Sequence, residues 1–223
     1  MSVQELYKRF LMMINKNDTN AGVTIPPAEF VLLFNAEALR WLAEELKKDE
    51  DNIDVNKIDQ LFNPNVELTL FEKHEKFLDF TLPDDYFQVY GSYSFADRGI
   101  CQGVRIANYE KKPGNLVPIL SDSDNRPSLN YQEAPFVLTE NSLRLYFDDY
   151  EVKSTFVNYY RTPNKIDMEG YINFDGEQST NIDPELDDFN NLEILARVAK
   201  EINRQVENTE GFQLAGERVN SEF

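Results

Sequence analysis

Residues 66–83 read VELTLFEKHEKFLDFTLP, and in this stretch the spacing of apolar residues changes from that of a helix to that of a strand. Val66, Leu68 and Leu70 alternate with Glu67 and Thr69, which is the period-two pattern of a half-buried strand. Lys76 to Pro83 repeats the pattern, and Pro83 ends it because proline has no N–H to give to a ladder. The chain before this stretch reads as helix, and the chain after it reads as strand up to Pro163.

Upstream, Ser2 and Glu5 match a capping box, and Val3, Leu6, Tyr7, Phe10, Met13 and Ile14 recur at helical spacing. A polar break, NKNDTNAGVT, follows. Pro26–Pro27 sits where a second helix starts, since proline at the first helical position sacrifices no hydrogen bond. Phe30, Leu33, Phe34, Ala38, Trp41, Leu42 and Leu46 make one apolar face, and Lys47–Lys48 complement the helix C-terminus. A third helix is expected from Asp54, with Val55, Ile58, Leu61 and Phe62, stopping before Pro64.

Downstream, DYFQVYGSYSFADRG and CQGVRIANYEK read as strands with bends or turns at Gly91 and Gly99. Lys111 to Tyr131, rich in Pro, Gly and polar residues, reads as a long surface loop. APFVLTE, LRLYFDD and EVKSTFVNYYRTP follow as strands, with hairpin turns at Glu140–Asn141–Ser142 and Asp148–Asp149. After Pro163 the chain is turn-rich, with YINF as one more candidate strand. Asp183–Pro184 then reads as N-cap and first residue of a last helix, with Glu185, Asp187 and Asp188 on its first turn. Phe189, Leu192, Leu195, Val198, Ala199, Ile202 and Val206 line one face to about Asn208, and Gly211 closes it.

Helices at both ends with strands between them predict an α+β fold. The expected form is a helical bundle made by the N-terminal helices and the C-terminal helix, with an inserted antiparallel β region. The divisions are 1–64 (N-terminal helices), 65–163 (β region), 164–208 (turn-rich stretch and C-terminal helix) and 209–223 (tail or arm).

Composition narrows the function. The chain has 223 residues, 41% of them hydrophobic, with 16 Phe and 11 Tyr, enough to bury a core. No apolar window approaches a membrane span, and MSVQELYKRF lacks the apolar core of a secretory signal. Forty acidic residues against 22 Lys and Arg give a net charge of −18. Such a surface repels phosphates, so a conventional nucleic-acid binder is not expected.

Catalytic constellations are sparse. His74 is the single histidine and Cys101 the single cysteine, so neither a zinc site nor a Ser/His or Cys/His nucleophile pair is indicated. His74 reads as a solvated strand residue. The acidic pairs Asp84–Asp85, Asp122/Asp124 and Asp148–Asp149 fall at turns, where Asp is favoured for bonding to its own backbone. The Ser121–Asn125 stretch begins like a calcium loop, but Arg126–Pro127 stands where the glycine turn belongs. GSYSFADRG lacks the spacing and the lysine of a phosphate loop. No catalytic residue, cofactor or metal is expected, and the chain does not read as an enzyme.

Partner-binding residues are the better candidates. Tyr159, Tyr160 and Arg161 cluster on one strand, and Tyr and Arg are enriched at contact hot spots; a core strand with Arg stacked on a tyrosine is the plainer reading. The tail carries Phe212, Leu214, Val219 and Phe223 on a polar background, the composition of a segment that orders on meeting a groove.

Three segments together resemble a virion protein of crAss-like and related short-tailed bacteriophages: VQELYKRFLMMIN with PPAEFVLLFNAEALRWL, the central LPDDY, and NYYRTPNKIDMEGYINFDGEQSTNIDPELDDFNNLEILARVAKEI. The last is the most specific, with YYR-x-P-x-x-I, then G-Y-I-x-F-D-G, then D-P-E-L. The resemblance implies a ring-forming head-to-tail connector (adaptor) subunit that joins portal and tail and forms part of the DNA channel. It further implies a homo-oligomeric, dodecameric ring, contacts with the portal and adjacent neck or tail proteins, and location in the virion neck after synthesis in the host cytoplasm. DNA would pass through the lumen without specific binding, and no membrane is involved. The family brings no catalytic residues. Alternatives are another neck or tail ring or hub protein or, from a different class, a carbohydrate-binding β module or glycosidase.

Overall fold

A computed structural model describes residues 1–15, 24–48, 55–122, 126–172 and 176–221; the side chains of 55–56 and 205–221 lie outside that description. The chain divides into two compact units, one of residues 1–60 with 163–223 and one of residues 61–162.

The second unit is built on an eight-stranded sheet: β1 (Phe62–Glu67), β2 (Thr69–Lys73), β3 (Phe77–Thr81), β4 (Tyr86–Arg98), β5 (Cys101–Glu110), β6 (Glu133–Leu138), β7 (Ser142–Tyr146) and β8 (Glu151–Arg161). Their order across the sheet is β1-β8-β4-β5-β6-β7-β3-β2. Only Leu68 separates β1 from β2 along the chain, yet these strands are the two opposite edges. Two Cα steps span at most about 7 Å, so the sheet curls until its edges meet at this corner, giving a half-barrel. Leu68 is buried there, and its N–H donates to the carbonyl of Thr155 at 2.8 Å.

This corrects the expected architecture. Strand accounts for 36% of the structure and helix for 34%, so a helical bundle carrying an insert does not describe the molecule; a curled mixed sheet is its main element. Nor is the β region purely antiparallel. β5 and β6 run parallel, from Ala107 opposite Glu133 to Glu110 opposite Phe136, and a parallel pair needs a crossover. That crossover holds a 3-10 turn (Pro113–Asn115) and a short helix, α4 (Leu116–Ser121), where a structureless loop was expected.

The strands differ in detail from expectation at the edges. The stretch 66–73 breaks at Leu68 into two strands with different partners, and Leu70 and Phe71 are exposed because β2 pairs on one side only. β1 passes through Pro64, which an edge strand tolerates at an irregularity in register, here between Asn63 and Val66. Glu140 to Ser142 does join a hairpin, β6–β7. Asp148–Asp149 does not, since β7 pairs with β3 and β8 with β4 and β1. Gly99 opens the two-residue turn between β4 and β5 at φ +59, a backbone region that suits glycine.

The hollow of the half-barrel is filled by Leu78, Phe80, Ile106, Phe136, Leu145 and Val157, among others. One polar network interrupts it. The Asn108 side-chain amide donates to the hydroxyls of Ser92 (2.9 Å) and Ser94 (2.8 Å), and the Ser94 and Thr155 hydroxyls bond each other at 2.9 Å. Asp79 is buried on β3 and takes a two-pronged ion pair from Arg144 on β7, at 2.8 and 2.9 Å.

The first unit contains α1 (Val3–Ile14), α2 (Pro27–Glu45), the single turn α3 (Val55–Ile58) and α5 (Asp188–Ser221), with α1 and α2 each packed against α5. Ser2 caps α1 by accepting from the Glu5 N–H, and Pro26–Pro27 opens α2 as expected. Phe30 is fully buried with ring centroids of Tyr7, Phe10 and Phe34 within 5.0–6.0 Å. The third helix is shorter than expected, ending in a 3-10 turn (Asp59–Leu61) before Phe62 enters β1.

The start of the last helix also moves. Asp187, not Asp183, caps α5: its carboxylate accepts from the Asn190 N–H at 2.7 Å. Asp183 serves α1 instead, accepting from the Val3 N–H at 2.8 Å. Phe189 is 67% exposed and leaves the apolar face, whose place is taken by Ile194. Backbone helix continues past Gly211 to Ser221. Replacing Asp183 by alanine removes a cap from α1, not α5, and is expected to cost about 1 kcal/mol. Urea titration followed by Trp41 fluorescence checks this, with Asp183→Asn retaining part of the stability; an unchanged midpoint for the alanine variant refutes the cap.

Candidate functional site

One concave feature in the described residues is an apolar groove in the first unit, between α2 and the turn-rich stretch after Pro163. Ala28, Val31 and Leu32 form one wall, and Ile166, Ile172 and Ile182 the other, around a volume of about 420 Å³. Its walls are held by hydrogen bonds that the local sequence makes possible. Asn35, halfway along α2, clamps the backbone of Ile166 twice, donating to its carbonyl at 3.0 Å and accepting from its N–H at 2.9 Å. Asp167 and Ile182 form an antiparallel bridge, with N–H to O distances of 3.2 and 2.9 Å.

Further in, Ser179 is buried and bonds to Tyr171 through three contacts: two to its backbone N–H and carbonyl from the hydroxyl, and one from its own N–H. The Asp167 carboxylate accepts from the Tyr171 hydroxyl and from the N–H groups of Met168 and Thr180. Burial of the Tyr171 phenol, then its bond to Asp167, push its pKa up to about 12, so it stays a donor through the neutral range. The strand expected at YINF reduces to one bridge, Ile172 with Gln178, and Asn173 and Phe174 lie outside the described residues.

Chemically the groove offers mainly apolar area, with Lys165 and Asp167 as the charged residues of its lining. Leu32, Ile172 and Ile182 are 51%, 70% and 43% exposed, while its one carboxylate, Asp167, is already saturated by donors. Sequence reading passed over Leu32, Ile172 and Ile182 because none falls on the main apolar stripe of its element. The available signal was Asn35, a polar residue on the border of an apolar helix face.

The sequence-derived candidates are placed differently. Tyr159 and Tyr160 are 3% and 5% exposed, so neither ring is offered to solvent as an interface anchor. Strand alternation turns them to opposite faces. The Tyr159 hydroxyl donates to Asp85 at 2.8 Å and accepts from Asn63 at 3.0 Å, while Tyr160 packs on Phe62 and Tyr90. Arg161 is half-buried and donates to the Thr162 carbonyl. Phe212, Leu214, Val219 and Phe223 fall where side chains lie outside the described residues, as does Asp124 of the acidic pairs.

His74 gains neighbours that spacing did not foretell. Its ring stacks on Phe77 at 4.1 Å, its Nε2 lies 3.2 Å from Glu72, and ligand atoms of Glu72, His74 and Asp79 lie within 4.8 Å of one another. The trio nonetheless suits a cation poorly. Both Asp79 oxygens are held by the Arg144 guanidinium, whose positive charge stands where a metal's would. Asp148 and Asp149 engage Lys76 and Arg98 respectively, and the Lys76 contact holds the Asp148 carboxyl below its usual range. Cys101 is exposed.

No protein-family model matches the chain, and no curated protein matches it in sequence.

Proposed function

We propose that this protein is a structural virion component, a ring-forming head-to-tail connector subunit of a short-tailed bacteriophage. One observation carries the reading. The segment that most resembles such proteins, from Asn158 to Ile202, builds with α2 a pre-formed, largely apolar groove. Rigid walls suit a protein whose work is docking, because less ordering is needed when the partner arrives. The acidic surplus supports the same role, since a channel wall of net negative charge lets DNA pass without adhering. In this role the chain performs no catalysis and needs no cofactor.

The test is co-assembly. Mass photometry of the purified protein, alone and mixed with the portal protein of its parent phage, is expected to show a multi-subunit species carrying the portal. Deleting residues 209–223 is expected to leave Trp41 fluorescence unchanged and abolish that species. A monomer that never joins the portal overturns the connector reading; assembly that survives the deletion moves the docking surface away from the tail.

A further inference from the structure

The outer face of β2, β3 and β7 holds a concavity of its own, about 470 Å³ in volume. Leu78 and Phe80 on β3 and Leu143 and Leu145 on β7 belong to the hollow, so strand alternation turns Asp79, Ser142 and Arg144 outward. All three line the concavity. Phe71 joins them through an irregularity of the edge strand. Leu70 pairs with Phe80 and Glu72 with Asp79, which leaves Phe71 as the extra residue of a bulge, a feature that re-aims side chains. Its ring is 74% exposed and lines the same concavity.

The polar groups around that ring are fixed before any ligand arrives. Asp79, 4% exposed, grips the Arg144 guanidinium at 2.8 and 2.9 Å, and the Phe77 ring lies 4.3 Å from it. A charged side chain held at its edge and over its face loses little freedom on binding. In the β6–β7 hairpin the Thr139 and Ser142 hydroxyls bond each other at 2.6 Å. Glu72, Glu140 and Asn141 add two carboxylates and an amide to the lining.

The lining itself selects the ligand. It sets three carboxylates against one guanidinium, already paired with Asp79, so phosphates and carboxylates are repelled. A purely apolar molecule would cover carboxylates and hydroxyls without bonding them, which costs free energy. A simple ammonium ion would use the carboxylates and leave the guanidinium and amide donors idle. A ring with one C–H face and several hydroxyls uses the whole surface. Its hydroxyls donate to the carboxylates and accept from the guanidinium and amide, while its C–H face lies on Phe71. We infer that this outer concavity binds a neutral sugar. The inference stands apart from the connector reading, since its assay contains no virion part.

The probes are maltose, cellobiose and N,N′-diacetylchitobiose, with sorbitol, glucuronic acid and tetramethylammonium as controls. Saturation-transfer difference NMR of the full chain is expected to show at least one disaccharide bound, with its largest signals on the C–H groups of one ring face, and no control bound. Phe71→Ala, a surface change whose folding is checked by circular dichroism, is expected to weaken that binding at least about tenfold, and Phe71→Trp to retain it. Silence from all three disaccharides overturns the inference, as does full affinity in Phe71→Ala. Sorbitol has the hydroxyls without the ring face, so its binding as tightly as the sugars overturns the inference too. Equal binding of glucuronic acid or tetramethylammonium does the same, because charge and not the hydroxylated ring would then decide.

Discussion

Replacing Arg144 by methionine is expected to destabilise the sheet unit by about 3 kcal/mol. The change strands the Asp79 carboxylate, whose side chain is 6% exposed, without its two-pronged partner. The guanidinium also lies 4.3 Å from the Phe77 ring, so an apolar replacement keeps that packing while the charge is lost. The figure sits at the lower end for breaking a buried pair because the Arg144 side chain is itself 36% exposed. Asp79→Leu combined with Arg144→Met removes both charges and is expected to return stability to within about 1 kcal/mol of the parent. Far-UV circular dichroism in urea, read at a sheet-sensitive wavelength, measures both. A single variant within about 0.5 kcal/mol of the parent shows that Asp79 finds water when its partner leaves.

The second large effect belongs to the helical unit. Phe30→Ala removes a fully buried ring that touches three other rings, and is expected to cost about 3–5 kcal/mol. Trp41 is the only tryptophan and is fully buried in the same unit, so its emission reports this unfolding directly. The Phe30→Leu variant keeps most of the volume and is expected to lose less than half as much. A loss for Phe30→Ala no greater than for Phe30→Leu indicates that the neighbouring rings close over the space.

The features legible in the sequence are those that short-range physics decides. The first two helices follow from apolar residues three and four apart, from Ser2 capping Glu5 and from the Pro26–Pro27 start. Most of the strands are visible as runs of period two, down to the turn at Gly99. The features that were not legible depend on partners distant in the chain. The alternation through Val66, Leu68 and Leu70 reads as one strand, and only pairing of its halves with β8 and β3 divides it. Asp183–Pro184 has the form of a helix start, yet the Asp183 carboxylate is used by Val3, 180 positions away. The tyrosines of β8 fit an interface by composition, and burial decides otherwise. The groove was least legible, because Leu32 breaks no pattern on its own and gains meaning only beside Ile172 and Ile182.

The pairing of β1 with β8 has a consequence for the gene as well as the fold. Phe62 lies opposite Tyr160 and Asn63 opposite Tyr159, so the chain enters and leaves the sheet unit on neighbouring strands, about 5 Å apart. A segment whose ends meet in this way can be spliced into a host loop without stretching it. The sheet unit thus has the form of a cassette, one that could be gained, lost or exchanged between two halves of a helical gene while both reading frames still fold.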